Sequence, residues 1–196
     1  MSQSKRKVIN LGPKAATELF KPARLEIYEC LQVVGPSSIA DLASRLARPA
    51  DSLYYHIKKL VAIGVIEAVG EDQSDSEGPG RKGMIYALPA AKLKIDLDQR
   101  SARSRKAWSG GAAAVLRLAL RDFDAALEAS VVTTKGPRRN LYMQRTKVRL
   151  NTAQLKEVNT RLEELHDLLA GYAKNTKNTK GNLHAITSVV SPLREI

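Results

Sequence analysis

The sequence predicts a mainly α chain with a small amount of β structure: a compact N-terminal helical domain with a hairpin, then a C-terminal helical or α+β region that dimerises. Three observations carry this. Apolar residues recur at spacings of three and four over five stretches, as amphipathic helices require. Two short β-branched or aromatic runs, 65–69 and 84–88, flank a gap rich in Gly, Ser, Asp and Glu. The 196 residues are 43% apolar, enough for a real core divided over two domains.

Residues 1–22, with Lys5, Arg6, Lys7 and Lys14, read as a basic flexible tail, either brushing phosphates or simply a disordered end. From Ala23 onward Leu25, Ile27, Tyr28, Leu31 and Val34 form one apolar face that stops at Gly35-Pro36. Ser37 and Ser38 offer an N-cap, Ser38 through Asp41 approximates a capping box, and Ile39, Leu42, Ala43 and Leu46 make a short second helix. Arg48-Pro49 ends it. Residues 50–63 form a third helix with Leu53, Ile57 and Leu60 on one side and Ser52, Tyr55, Lys58 and Lys59 on the other. Gly64 suits a helix C-terminus, and residues 65–69 follow as a strand. Residues 70–83, with Gly78-Pro79-Gly80, are irregular before a second strand at 84–88. Helix, short helix, helix and hairpin is the order of a winged helix-turn-helix, here over 23–90.

Residues 91–130 read as a basic connector, predicted helical over 92–106, then a helix over 112–129 set off by Gly110-Gly111. Leu116, Leu120, Phe123 and Leu127 line one edge of that helix. Residues 133–140, with Gly136-Pro137, form a loop, and 145–150 alternate with a period of two, predicting a strand. Residues 151–154 cap a further helix, whose seam is Leu155, Val158, Leu162, Leu165 and Leu169. A last strand is expected over 184–190, making 131–196 a strand-helix-strand dimerisation or accessory region. If both strands lie parallel in one sheet, the crossover is right-handed.

Lysine and arginine total 32 against 20 acidic residues, a formal charge of +12, which points to a polyanionic partner and first to nucleic acid. A helix fits the major groove of B-form DNA, where short polar groups near its N-terminus reach base edges and lysines further along meet phosphates. Ser52, Tyr54 and Tyr55 are candidate base readers, and Lys58 and Lys59 phosphate contacts; Ser38 and Asp51 complete the set on these helices. His56 either touches DNA or packs as a partly buried histidine. The alternative for the whole face is that the tyrosines pack on neighbouring helices and the lysines are merely solvated. Arg81 and Lys82, between Gly80 and Gly83, are placed to meet the minor groove or backbone. Glu71, Asp72, Asp75 and Glu77 would be repelled by phosphate, so the preceding arm of the wing is expected to point away from DNA or be mobile; the alternative for the whole loop is a long disordered segment.

The run 51–66 resembles the recognition helix of bacterial winged-helix regulators of the arsenical-repressor (ArsR) type. Ser52, apolar Leu53, two variable positions, His56, apolar Ile57, basic Lys58 and Lys59, Leu60, then Gly64 with Val65 and Ile66 meet each class of that pattern. The resemblance covers about 23–88 and implies a DNA-binding helix in the major groove with a basic wing beside it. More loosely, a helix bearing Arg121-Asp122-Phe123 ahead of a strand-helix-strand unit resembles the accessory regions of such regulators, which implies dimerisation; the alternative is that both apolar stripes pack within one monomer.

Metal sensing, common in that family, needs clustered thiolates or imidazoles. Cys30 is the single cysteine and His56, His166 and His184 are scattered, so neither metal nor cofactor is expected and Cys30 reads as a core residue. No phosphate loop or nucleophile elbow appears, and no enzyme is expected. Neither a secretory h-region nor a run of about eighteen apolar residues is present, giving the expectation of a cytoplasmic, nucleoid-associated protein with no membrane partner. The reading is therefore a homodimeric repressor on a double-stranded operator, open to an unidentified small-molecule effector. The alternative is a winged-helix protein-interaction module that binds no DNA.

Overall fold

The computed structural model describes residues 8–71, 83–90, 92–96, 98, 100–129, 132–174 and 182–193. The chain divides into two compact units, Met1–Leu118 and Ala119–Ile196. The first contains β1 (Val8–Leu11), α1 (Pro13–Leu19), α2 (Pro22–Val34), β2 (Ser37–Ser38), α3 (Ile39–Leu46), α4 (Ala50–Ala62), β3 (Glu67–Glu71), β4 (Met84–Ala87), β5 (Lys92–Ile95) and the first two-thirds of α5 (Ala102–Glu128). It is mainly α with a small sheet, as the periodicities predict.

The three central helices form for the reasons visible in their residues. Pro22 opens α2, where its missing N–H has no partner to lose, and Gly35 closes it at φ 80°. Ser38 caps α3: its hydroxyl accepts from the Asp41 backbone N–H at 3.2 Å, and Asp41 accepts from the Ser38 N–H at 3.2 Å. α4 buries Leu53, Ile57 and Leu60, and Gly64 at φ 71° turns the chain after it. With Ile27, Leu31, Ile39, Leu42 and Ala43 these residues make one core.

The sheet beside them runs β2-β4-β3, antiparallel throughout, with a register shift between Ala68 and Gly70. The hairpin starts later than its sequence suggests. Val65 and Ile66 are drawn into the core as the chain leaves α4, so pairing begins only at Glu67. β2 is two residues long, too short to show periodicity. The wing loop over 72–82 lies outside the described residues.

The expectation of a flexible tail over 1–22 is corrected from Val8 onward. Leu11 and Leu19 belong to the same core, Ala16 is fully buried, and β1 pairs in parallel with β5 from Val8↔Lys92 to Leu11↔Ile95. Basic residues flanking a few well-spaced apolar ones hid this: the buried positions, 11, 16 and 19, are five and three residues apart. The helical connector over 92–106 is corrected likewise, to β5 followed by α5 from Ala102.

Gly110 and Gly111 do not interrupt α5, which runs through both. Its buried face is Ser104, Ala107, Gly111, Ala114 and Leu118, a stripe of mostly small residues at spacings of three and four. Gly111 is small for a reason: a Cβ there would stand 2.7 Å from the Phe20 ring.

The second unit holds the rest of α5 and α6 (Thr152–Lys174). The turn between them is closed by Asn140, whose side-chain oxygen accepts from the Thr133 N–H at 2.7 Å. α6 opens with a reciprocal cap: the Asn151 N–H donates to Gln154 Oε1 at 3.0 Å and the Gln154 N–H to Asn151 Oδ1 at 2.9 Å. The two strands expected over 145–150 and 184–190 are corrected: neither enters a ladder among the described residues. An alternating pattern supplies a face, but a strand also needs a partner for its N–H and C=O groups. None of the described residues of this unit is fully buried. No helix of the described residues is long and apolar enough to cross a membrane.

Candidate nucleic-acid interface

α4 divides cleanly by side. Leu53, Ile57 and Leu60 anchor its inner face in the core, and Asp51, Ser52, Tyr54, Tyr55 and Lys58 project from its outer face. Tyr54 is 59% exposed and Tyr55 58%, which removes the reading in which both rings pack on neighbouring helices. Two large, amphipathic rings are thus held out on a helix whose other side is locked by leucine and isoleucine, and they present aromatic faces with hydrogen-bonding tips. Ser52 folds its hydroxyl back to donate to the Pro49 carbonyl at 2.7 Å, leaving the oxygen free to accept.

Charge is placed around the tyrosines. Lys59, half-buried, brings its ammonium 5.6 Å from the centre of the Tyr55 ring, whereas Lys58 stands in solvent. His56 meets the Tyr55 ring edge-on, the two centroids 5.5 Å apart. The Nδ1 of His56 is buried with no hydrogen-bond partner among the described residues. Burial holds the imidazole below its ordinary pKa, with Arg24 and Arg48 adding to the effect, so His56 is neutral at pH 7.

Those two arginines are what sequence reading missed. Arg24, on α2, is only 3% exposed; its Nη1 pairs with the Glu18 carboxylate and also donates to the Glu18 carbonyl at 2.7 Å. Its guanidinium lies 5.7 Å from the centre of the Tyr55 ring. Arg48, in the linker before α4, pairs at 2.6 Å with Glu26, itself nearly buried on α2. Partners six and twenty-two residues apart leave no mark on local periodicity. The available signal was Arg24 and Glu26 on α2, charged residues close to an apolar stripe.

The other candidates fall elsewhere. Ser38 is corrected: it is 4% exposed, and its hydroxyl is spent on the α3 cap, so its place is structural. Arg81 and Lys82 lie outside the described residues, as do Asp72, Asp75 and Glu77 of the wing arm. Among the dimer candidates, Leu116, Leu120 and Leu127 are each more than half exposed, and Phe123 is half-buried. The α6 seam is open along its length: Leu155 and Leu165 are exposed, and Val158, Leu162 and Leu169 are half-buried. Cys30 is half-buried on α2, its thiol pushed up by burial, with Arg45 opposing. No group of three metal-ligating side chains occurs among the described residues.

A family model described as a helix-turn-helix domain matches residues 21–69, from the start of α2 into β3. The chain thus carries a helix-turn-helix domain, a module whose usual partner is duplex DNA. No curated protein matches the chain. Among solved structures, a disulfide-formed AbfR is similar over 83% of this chain and 84% of that one, at 13% identity and a TM-score of 0.29.

Proposed function

We propose that this protein is a sequence-specific, double-stranded-DNA-binding transcriptional regulator, a homodimeric repressor of the arsenical-repressor type that senses no metal. α4 lies in the major groove, with Ser52, Tyr54 and Tyr55 toward base edges and Lys58 and Lys59 toward phosphates. The wing between β3 and β4, with Arg81 and Lys82, follows the minor groove or backbone. The observation that carries this reading is the outward face of α4: polar, aromatic and basic, and uncovered by the other described residues.

The apolar surface left open in the second unit supports the dimer. Among the described residues there, fifteen large apolar ones, from Leu120 to Leu193, are exposed. Leu116, Leu120, Phe123 and Leu127 of α5 and the α6 seam are the contacts. A two-fold axis through them sets two recognition helices on half-sites about one helical turn apart. Occupying a promoter needs no contact with polymerase, which favours repression.

Selection by the full chain from a randomised duplex pool tests the proposal. Enrichment of a two-fold motif with half-sites about 10 bp apart is expected; a pool that stays random after repeated rounds at low salt contradicts it.

A further inference from the structure

We propose that Arg24 is a positioning residue of the DNA-reading face: its buried guanidinium, directed by Glu18, holds the Tyr55 ring in the orientation that meets the duplex. This rests on reading α4 as the recognition helix.

An arginine that is 3% exposed is costly to keep unless its charge is paired, and Glu18 pairs it. An apolar side chain of similar volume would fill the same space without that cost, so the ion pair calls for another role. Position supplies one. The guanidinium sits 5.7 Å from the centroid of Tyr55, and a desolvated cation over an aromatic ring attracts it more strongly than an exposed one. Its Nε has no hydrogen-bond partner among the described residues, so Glu18 and the ring account for the orientation.

The same ring also meets Lys59 at 5.6 Å and the edge of His56 at 5.5 Å. Tyr54, next in sequence and equally exposed, has no ring or cation contact among the described residues. Of the two tyrosines on the outer face, one is therefore held from beneath and the other is left to its rotamers. A contact ordered before binding loses less freedom on binding and discriminates better, since a wrong base cannot be accommodated by swinging the ring away. Arg24 never touches DNA in this account; its effect on sequence preference passes through Tyr55.

The test uses the full chain and two probes: the duplex recovered by selection from a randomised pool, and a scrambled duplex of the same length and composition. The readout is the ratio of the two dissociation constants at fixed salt, with thermal melting recorded for each variant. Arg24→Lys and Glu18→Gln are expected to lower the ratio about tenfold, toward the value for Tyr55→Ala, with the loss falling on the selected duplex. Adding Tyr55→Ala to Arg24→Lys is expected to produce no further loss. A merely structural role would lower the melting temperature and weaken both duplexes together. Ratios equal to wild type, or losses that multiply in the double variant, overturn the proposal. If Arg24→Lys does not fold, Glu18→Gln, which keeps the guanidinium and its bond to the backbone carbonyl of residue 18 but removes the carboxylate that pairs with it, decides alone. A wild-type chain that selects no duplex fails at the earlier step, the assignment of α4, and takes this inference with it; a wild type that discriminates alongside variants that discriminate equally defeats only Arg24.

Discussion

The Phe20 ring lies across Gly111, so close that a Cβ at position 111 would stand 2.7 Å from two of its carbons. The residue after α1 and a glycine in the middle of α5 thus fix how two helices far apart in sequence meet. Gly110, one position earlier, has nothing within 4 Å of where its Cβ would be. The adjacent glycines should therefore respond to alanine with opposite sign. Gly110→Ala should stabilise by up to ~1 kcal/mol through helix propensity alone. Gly111→Ala adds an overpacking penalty of about 1–3 kcal/mol to the same propensity gain and should lower the melting temperature. Phe20→Leu in the Gly111→Ala background should restore part of the loss. Thermal melts of the four proteins check this.

Ser38 is expected to matter to folding and not to DNA. Its hydroxyl and the Asp41 carboxylate close the N-terminus of α3, and Ser38→Ala should cost about 1 kcal/mol of stability. In denaturant titrations the midpoint should fall. The affinity of the folded fraction for duplex DNA should stay as it was.

Much of the first unit was legible in the sequence, and the reasons show where legibility stops. α2, α3 and α4 each bury one apolar stripe at helical spacing, and the Ser38–Asp41 and Asn151–Gln154 caps are local pairs three residues apart. What stayed hidden depends on distant partners. β1 becomes a strand because β5 lies beside it, Gly111 is a contact because Phe20 reaches it, and Arg24 is a buried ion pair because Glu18 and Tyr55 surround it. The reverse error came from the same source: 145–150 and 184–190 alternate as strands do, yet no neighbour within the described chain completes them. At the site, Tyr54, Tyr55 and Lys58 were readable from their place on one face of a helix. Ser38 was readable as the cap of α3, but its added place among the DNA candidates was not, since the cap itself engages the hydroxyl.

Folding stability should fall in mild acid through His56. Burial, Arg24 and Arg48 hold its pKa in the folded state below the ordinary 6.5. As the pH drops past that value, the unfolded chain takes up a proton more readily than the folded one, which favours unfolding. The stability tied to His56 is present above about pH 6.5 and lost as pH falls. Urea titrations across pH 5 to 8 are expected to show it, and His56→Gln should flatten that part of the profile.

The dimer can be checked on the intact chain. Sedimentation equilibrium at micromolar concentration should give a two-fold mass, and replacing Leu120 and Leu127 together with Asp should give a monomer that retains the helical signal of the first unit. Loss of an exposed apolar pair costs a monomer little, whereas a buried interface cannot hold unpaired carboxylates.

The outward face of α4 is the centre of the account, and the salt dependence of duplex binding tests it most directly. Lys58 and Lys59 on two protomers meeting four phosphates predict that log K falls against log salt with a slope of about −3.6 or steeper. Alanine at both positions removes all four contacts and should make that slope shallower by about 3.6. A full-length protein that binds no duplex at low salt, or whose slope is untouched by removing both lysines, would contradict the account.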